Sequence, residues 1–331
     1  MTLKTTFLGA AAALALGSGA ALADPALIFD LGGKFDKSFN ESSYNGAERW
    51  AAETGGTYAQ VELQSDAQRD QAIRRFADEG YNPIIMAGFS NATPLEAIAP
   101  EYPDTSFVII DAEVDLPNVR SVMFDEHEGS YLVGIIAAMA TETDVVGFVG
   151  GMDIPLIRRF GCGYAQGVTD TNPDIEVIAN FTGSTPAAWN DPVKGSELTL
   201  AQIAQGADVV YAAAGATGVG VLQTAADQGV YSIGVDSNQN YLHPGSVLTS
   251  MIKRVDNAVF DAMSEGPGLE TGLHTMGIAN DGVAPAFDEY NEDLITPEMH
   301  AAVDAAVAAI AAGEIEVHDY YTDQNCPAIQ F

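Results

Sequence analysis

The sequence predicts an α/β fold of two Rossmann-like lobes with parallel sheets, on three observations. Short, wholly apolar runs such as Pro83–Ala87 and Phe107–Ile110 read as strands covered on both faces. They alternate with helical stretches at βαβ spacing. The length of 331 residues exceeds what one hydrophobic core usually supports, and the rhythm restarts midway.

Taken in order, Ala26–Phe29 is the first strand, and Ser38–Glu53 a helix with Tyr44, Ala47 and Ala51 on its core face. Strand Thr57–Leu63 and helix Asp66–Asp78 follow, with Asp66 placed as a helix cap. The strands Pro83–Ala87, Phe107–Ile110 and Val119–Phe124 complete the first series. The second runs through helix Glu126–Ala140, strand Val145–Val149, helix Pro155–Thr169 and strand Ile175–Phe181. Helix Glu197–Gln205, strand Asp208–Ala213, helix Thr217–Gln228 and strand Val230–Val235 continue it. Strand Val247–Met251, helix Lys253–Met263 and helix Pro297–Ala312 close the pattern, the last with proline in its first turn and Gly313 at its end. No Pro/Gly/Ser linker separates the halves, so the lobes are expected to be joined by several ordered crossovers around a cleft.

The 46 acidic and 13 basic side chains give a formal charge of -33, yet 47% of residues are hydrophobic. That apolar content excludes a disordered acidic chain. The charge excludes nucleic acid as a partner and docking on anionic lipid by charge. It leaves a neutral or cationic small ligand open. Residues 1–23 read as a secretory signal peptide: Lys4, an apolar run from Phe7 to Leu16, then Ala21-Leu22-Ala23 as cleavage site. No cysteine lies near that cut, so the expectation is a protein soluble in the periplasm after cleavage, with no direct membrane anchor. The two cysteines, Cys162 and Cys326, are most economically a disulfide in an oxidising compartment; two unpaired buried thiols are the alternative.

In open parallel sheets, ligands sit beyond the carboxyl ends of the strands. The residues there include Asp30, Phe89, Asp111, Gly215 and Asp236. The turn Gly32–Asn40 offers Ser38 or Asn40 as helix cap or ligand donor, and is no dinucleotide fingerprint. Phe39 and Trp189 stand in polar turns where packing does not demand an aromatic, and two such rings could sandwich a flat ligand. Asp236 suits adjacent sugar hydroxyls. Lys253 either donates to the same hydroxyls or pairs with Asp236. Asp111 could take the NH groups of a base, or cap the next turn. No HExxH, GxSxG or P-loop pattern is present, so no catalytic residue, metal site or cofactor is assigned, and the chain is not expected to be an enzyme.

These stretches carry a resemblance. Asp30–Gly46, the run from Gly150 to Phe160, Trp189–Gly195, Ala213–Gly220 and Gly234–Gln239 resemble the basic membrane protein family of ABC-transporter substrate-binding proteins, which includes purine-nucleoside receptors. The resemblance implies a type I periplasmic binding protein, with three hinge crossovers and closure on ligand. It assigns Phe39 to stacking on a purine, with Ser38, Asn40 and Asp111 near the base. It assigns Asp236 to the ribose hydroxyls and Lys253 beside it; Trp189 is the choice for the second face, with Tyr211 as alternative.

The expected function is capture of a nucleoside, a purine first, and delivery to an inner-membrane ABC permease. A receptor for a free sugar or other small polar metabolite is the alternative within the class, and a secreted nucleoside hydrolase the alternative outside it. Residues 24–125 with 246–275 are expected to form the first lobe, and 126–245 with 276–331 the second.

Overall fold

The computed structural model describes residues 23–331; the expected signal peptide lies, apart from Ala23, outside them. In the first lobe, β1 (Ala26–Phe29), α1 (Phe39–Thr54), β2 (Ala59–Glu62), α2 (Arg69–Asp78), β3 (Ile84–Met86), α3 (Ala92–Ile98), β4 (Phe107–Ile110) and β5 (Val119–Phe124) follow one another. In the second come α4 (Glu126–Ala140), β6 (Val145–Met152), α5 (Pro155–Thr171), β7 (Glu176–Gly183) and α6 (Pro192–Ile203). After them are β8 (Val209–Ala213), α7 (Thr217–Gln228), β9 (Tyr231–Asp236) and β10 (Val247–Lys253). The chain then runs through α8 (Val255–Glu265), β11 (Gly272–Met276), β12 (Val283–Pro285), α9 (Pro297–Ala311) and α10 (Tyr320–Asp323).

One sheet has the order β11-β5-β4-β3-β1-β2 and is parallel throughout. The other, β12-β10-β9-β8-β6-β7, is parallel except for β12. Strands β1, β3, β4 and β8 are buried along their whole length, as apolar runs with helices on both faces must be. Alternate residues of the first sheet face different cores: Ile28, Ile84, Phe107 and Ile109 pack with Ile73, Phe76 and Leu95. Leu27, Phe29, Ile85 and Val108 instead join Trp50 and Val259.

The chain crosses between lobes three times: from β5 into α4, from β10 into α8, which packs on α1, and from β11 to β12. The segment 246–275, expected in the first lobe, is therefore divided. Strand β10 lies between β9 and β12 in the second sheet, and only α8 and β11 return to the first. An apolar strand carries no local mark of which sheet it will enter.

Helix starts differ where a cap sits outside the expected position. Asp66 belongs to a short 3₁₀ turn and pairs with Arg69 at 2.8 Å instead of capping. Helix α6 begins at Pro192, earlier than expected, because Asp191 accepts from the Lys194 backbone N–H at 2.9 Å. Cys162 and Cys326 form a disulfide, with Cα atoms 5.5 Å apart, which fastens the C-terminal segment to α5.

Candidate ligand-binding site

Between the lobes lies a cleft with about 630 Å³ of space between its atoms, the open solvent at its mouth included. Its first-lobe wall is Asp30, Leu31, Asp36, Phe39, Asn40, Gly88, Phe89 and Asp111. The second lobe supplies Leu156, Ile157 and Phe160 from α5, then Trp189, Ala213, Ala214, Gly215, Val235, Asp236 and Lys253. Most lie at or just beyond the carboxyl ends of parallel strands, where the sheet's backbone bonding stops and side chains are free to face a ligand.

The structure brings nine of the ten candidate residues to this wall: Asp30, Phe39, Asn40, Phe89, Asp111, Trp189, Gly215, Asp236 and Lys253. Ser38 stands behind it, fully buried, with its hydroxyl donating to Asp236 Oδ2. The alternative aromatic Tyr211 is buried in β8 against Phe148 and Tyr164, away from the cleft. Trp189 is held in a 3₁₀ turn after β7, where Thr217 and Thr182 both donate to Ala188 O, at 2.8 and 3.0 Å. Its ring lies on Gly151: a Cβ there would stand 2.1 Å from Trp189 Cζ3.

Several polar groups in the wall are already committed to the protein. Asn40 accepts from the Asp30 N–H at 3.0 Å and donates to the carbonyls of Asp30 and Gly33, each at 3.2 Å, so its amide shapes the loop. Asp30 is paired with buried Arg69 at 2.6 Å. Burial pushes the Asp30 carboxyl up, against Arg69. The group that satisfies the start of α1 is Asp36, which accepts from the N–H groups of Ser38, Asn40 and Glu41 at 2.8 to 3.0 Å. The expected cap, Ser38 or Asn40, does not fill that role.

Lys253 is 1% exposed and lies 2.7 Å from Asp111 Oδ1 and 2.9 Å from Glu126 Oε1. It does not pair with Asp236, one of the two roles open to it from the sequence; Asp236 accepts from Ser38. Phe39, Phe124 and Phe160 surround its ammonium, with ring centroids 5.4, 5.0 and 5.5 Å away. Burial works against that charge, but Asp111, Glu126 and Asp236 together hold the lysine well above its ordinary range. One ammonium thus faces three buried carboxylates. Burial and the Glu126 charge push Asp111 up while Lys253 pulls it down, so a carboxyl, not the lysine, gains or loses a proton first. Asp111 and Asp236 also adopt left-handed backbone, with φ of 71° and 64°, rare for side-chain-bearing residues and common where a strand end is bent toward a site.

Residues that sequence reading missed include Asp36, the α5 triplet Leu156, Ile157 and Phe160, and Glu126 behind Lys253. Phe160 stands inside one of the motif stretches, yet its helical spacing is that of any core residue. Only Asp36 carried a local signal, an acid two residues ahead of a helix start.

Two lobes, three crossings and a cleft at the strand ends define a periplasmic-binding-protein type I fold. The model of the family described as "ABC transporter substrate-binding protein PnrA-like" matches residues 25–319. The chain is 34% identical over 320 residues to the ABC transporter nucleoside-binding protein BmpA of Lactococcus lactis, covering 88% of each chain. It is 33% identical to an uncharacterized lipoprotein of Pyrococcus horikoshii, over 78% of this chain and 67% of that one. A crystal structure of an ABC transporter solute-binding protein from Aeropyrum pernix superposes with a TM-score of 0.81 at 30% identity, covering 91% and 95% of the two chains. The chain belongs to the basic membrane protein family of ABC-transporter substrate-binding proteins, whose members bind and transport instead of catalysing.

These relatives correct two expectations. Relatives from three Pyrococcus species are lipoproteins by name, and those from Borrelia and Borreliella are basic membrane proteins. A freely soluble protein with no membrane anchor is therefore not the state to assign. Among the described residues no helix is long and apolar enough to cross a membrane. The expectation rests on the lack of a cysteine near the expected cleavage site, and the packed lobes carry no information about attachment outside them.

Proposed function

We propose that the cleft binds a nucleoside, with a purine preferred, and that the closed protein delivers it to the permease of its transporter. The observation that carries this reading is the division of the cleft wall. Phe39, Phe89, Phe160 and Trp189, with Leu31, Leu156, Ile157, Ala213 and Val235, make much of it aromatic and apolar, while Asp111, Asp236 and Lys253 gather near one another. A flat, mostly neutral base gains contact area and stacking geometry from Phe39 and Trp189, one from each lobe. Asp236 has one carboxylate oxygen engaged by Ser38, leaving the other for adjacent ribose hydroxyls. A free sugar would find few hydrogen-bonding groups for its ring of hydroxyls. The name of the Lactococcus lactis relative points the same way.

Closure is already expressed in cross-lobe hydrogen bonds: Ser237 Oγ donates to Ser38 O at 2.8 Å, and Gln239 Nε2 to Lys37 O at 2.9 Å. A ligand touching both Phe39 and Asp236 favours this state by its additional contacts there. The test is titration calorimetry with inosine, adenosine, uridine, adenine, hypoxanthine and ribose. One-to-one binding of the purine ribosides, weakened at least tenfold in Phe39→Ala, is the expected result. Tighter binding of ribose than of any nucleoside would replace this reading with the sugar receptor.

A further inference from the structure

We propose that Glu126 is the positioning residue of the cleft: it touches no ligand, but sets the place of Lys253 and through it the affinity for the bound molecule. The inference rests on the reading that Lys253 meets the ligand. Glu126 is the first residue of α4, directly after the β5 crossing, and is fully buried. Its two oxygens face two different cations. Oε1 lies 2.9 Å from Lys253 Nζ and Oε2 lies 2.7 Å from Arg159 Nη1. Arg159, itself 4% exposed, is immobilised from the other side by Asp319 at 2.7 and 2.8 Å, by Asp125 at 3.0 Å and by the Phe124 carbonyl. The carboxylate is therefore fixed before the lysine reaches it.

Lys253 has four rotatable side-chain bonds and comes from the last residue of β10, at the second crossing between lobes. Asp111 alone, at 2.7 Å, could draw the ammonium out along the first-lobe wall. Two carboxylates on different sides define one position, below the rings of Phe39 and Phe160. Neither Asp111 Oδ1 nor Glu126 Oε1, both buried, makes a hydrogen bond to any other described group, so each oxygen's compensation is this one ammonium. Outer partners that aim metal-ligating side chains change affinity by roughly ten- to a hundredfold, and the lower end of that range is taken for this lysine.

The test is a double-mutant cycle on the dissociation constant for inosine, with wild type, Glu126→Gln, Lys253→Met and the double variant, each checked for folding by circular dichroism. Because Glu126 acts through Lys253, Glu126→Gln should weaken binding about tenfold in the wild-type background and add less than twofold in the Lys253→Met background. A purely structural residue would weaken both backgrounds equally, and that outcome overturns the proposal, as does wild-type affinity in Glu126→Gln. Should Glu126→Gln not fold, Glu126→Asp replaces it in the cycle: it keeps the charge but stops one methylene short of the lysine. If wild type ignores inosine and binds ribose, the nucleoside reading falls, and the same cycle read with ribose still decides the role of Glu126.

Discussion

Replacing Lys253 by methionine keeps the length of the side chain and removes its charge. In the wild type the ammonium lies 2.7 Å from Asp111 and 2.9 Å from Glu126, out of contact with water. Without it, Asp111 loses its cation, Glu126 keeps only Arg159, and Asp236 remains buried nearby. Breaking a buried pair from one side costs roughly 3–5 kcal/mol. At about 2–4 °C per kcal/mol for domains of this size, the melting temperature should drop by roughly 6–20 °C. The loss has a pH signature. With the ammonium gone, the folded Asp111 carboxyl rises further above the ordinary 3.8, so the folded variant holds a proton that the unfolded chain releases. Its stability is then highest below about pH 4 and declines as the pH climbs through the raised value. Wild-type Asp111 is itself raised to about 7, so the deficit relative to wild type should be level between pH 5 and 7 and widen above that, by up to about 1.4 kcal/mol at pH 8. Asp111→Asn in the same chain should restore much of it. Scanning calorimetry of the ligand-free proteins at pH 5, 7 and 8 measures this. A Lys253→Met protein as stable as wild type at pH 8, or a deficit indifferent to pH and to Asp111→Asn, would refute the reasoning.

Three other perturbations test separate parts of the account. The disulfide joins residues 164 apart, for which chain entropy gives a stabilisation of about 5 kcal/mol; Cys162→Ser/Cys326→Ser should melt well below the oxidised wild type, and reductant should lower only the wild type. Equal melting without reductant would count against a stabilising strap. Burial, together with the Arg159 charge, lowers His127 from 6.5 to about 4, so the unfolded ring is protonated first as pH falls. Wild type should therefore lose up to about 3 kcal/mol between pH 6.5 and 4 that His127→Gln does not lose; parallel pH profiles would show that the buried ring is not responsible. Gly151→Ala puts a methyl group against the Trp189 ring, so affinity for inosine should fall about tenfold while the fold persists. Unchanged affinity would remove Trp189 from the binding surface.

Much of this architecture was legible because parallel strands buried on both faces leave an unmistakable mark, as Phe107–Ile110 and Val209–Ala213 show. Their carboxyl ends then nominate the site, and Asp30, Asp111 and Asp236 stand there. What was not legible depends on long-range partners. Strand β11 is half-exposed at a sheet edge, so Gly272–Met276 lacks the apolar pattern of a strand. The sheet chosen by β10 is set by β9 and β12, whose register partners lie 15 or more positions away. Glu126 looks like an ordinary first-turn acid of a helix; its importance appears only when Lys253 and Arg159 arrive from β10 and α5. Ser38 and Asn40 offer a helix cap or a ligand donor in the sequence; in the structure the second shapes the Asp30–Gly33 loop and the first holds Asp236.

The central claim is that a nucleoside occupies the cleft with its sugar on Asp236. Calorimetric comparison of inosine with hypoxanthine, on wild type and Asp236→Ala, tests it most directly. The account predicts that the variant loses affinity for inosine by a factor of at least ten, the order expected for charge-assisted hydrogen bonds, while hypoxanthine is affected far less. Equal losses on both ligands, or a wild type that binds neither, would contradict it.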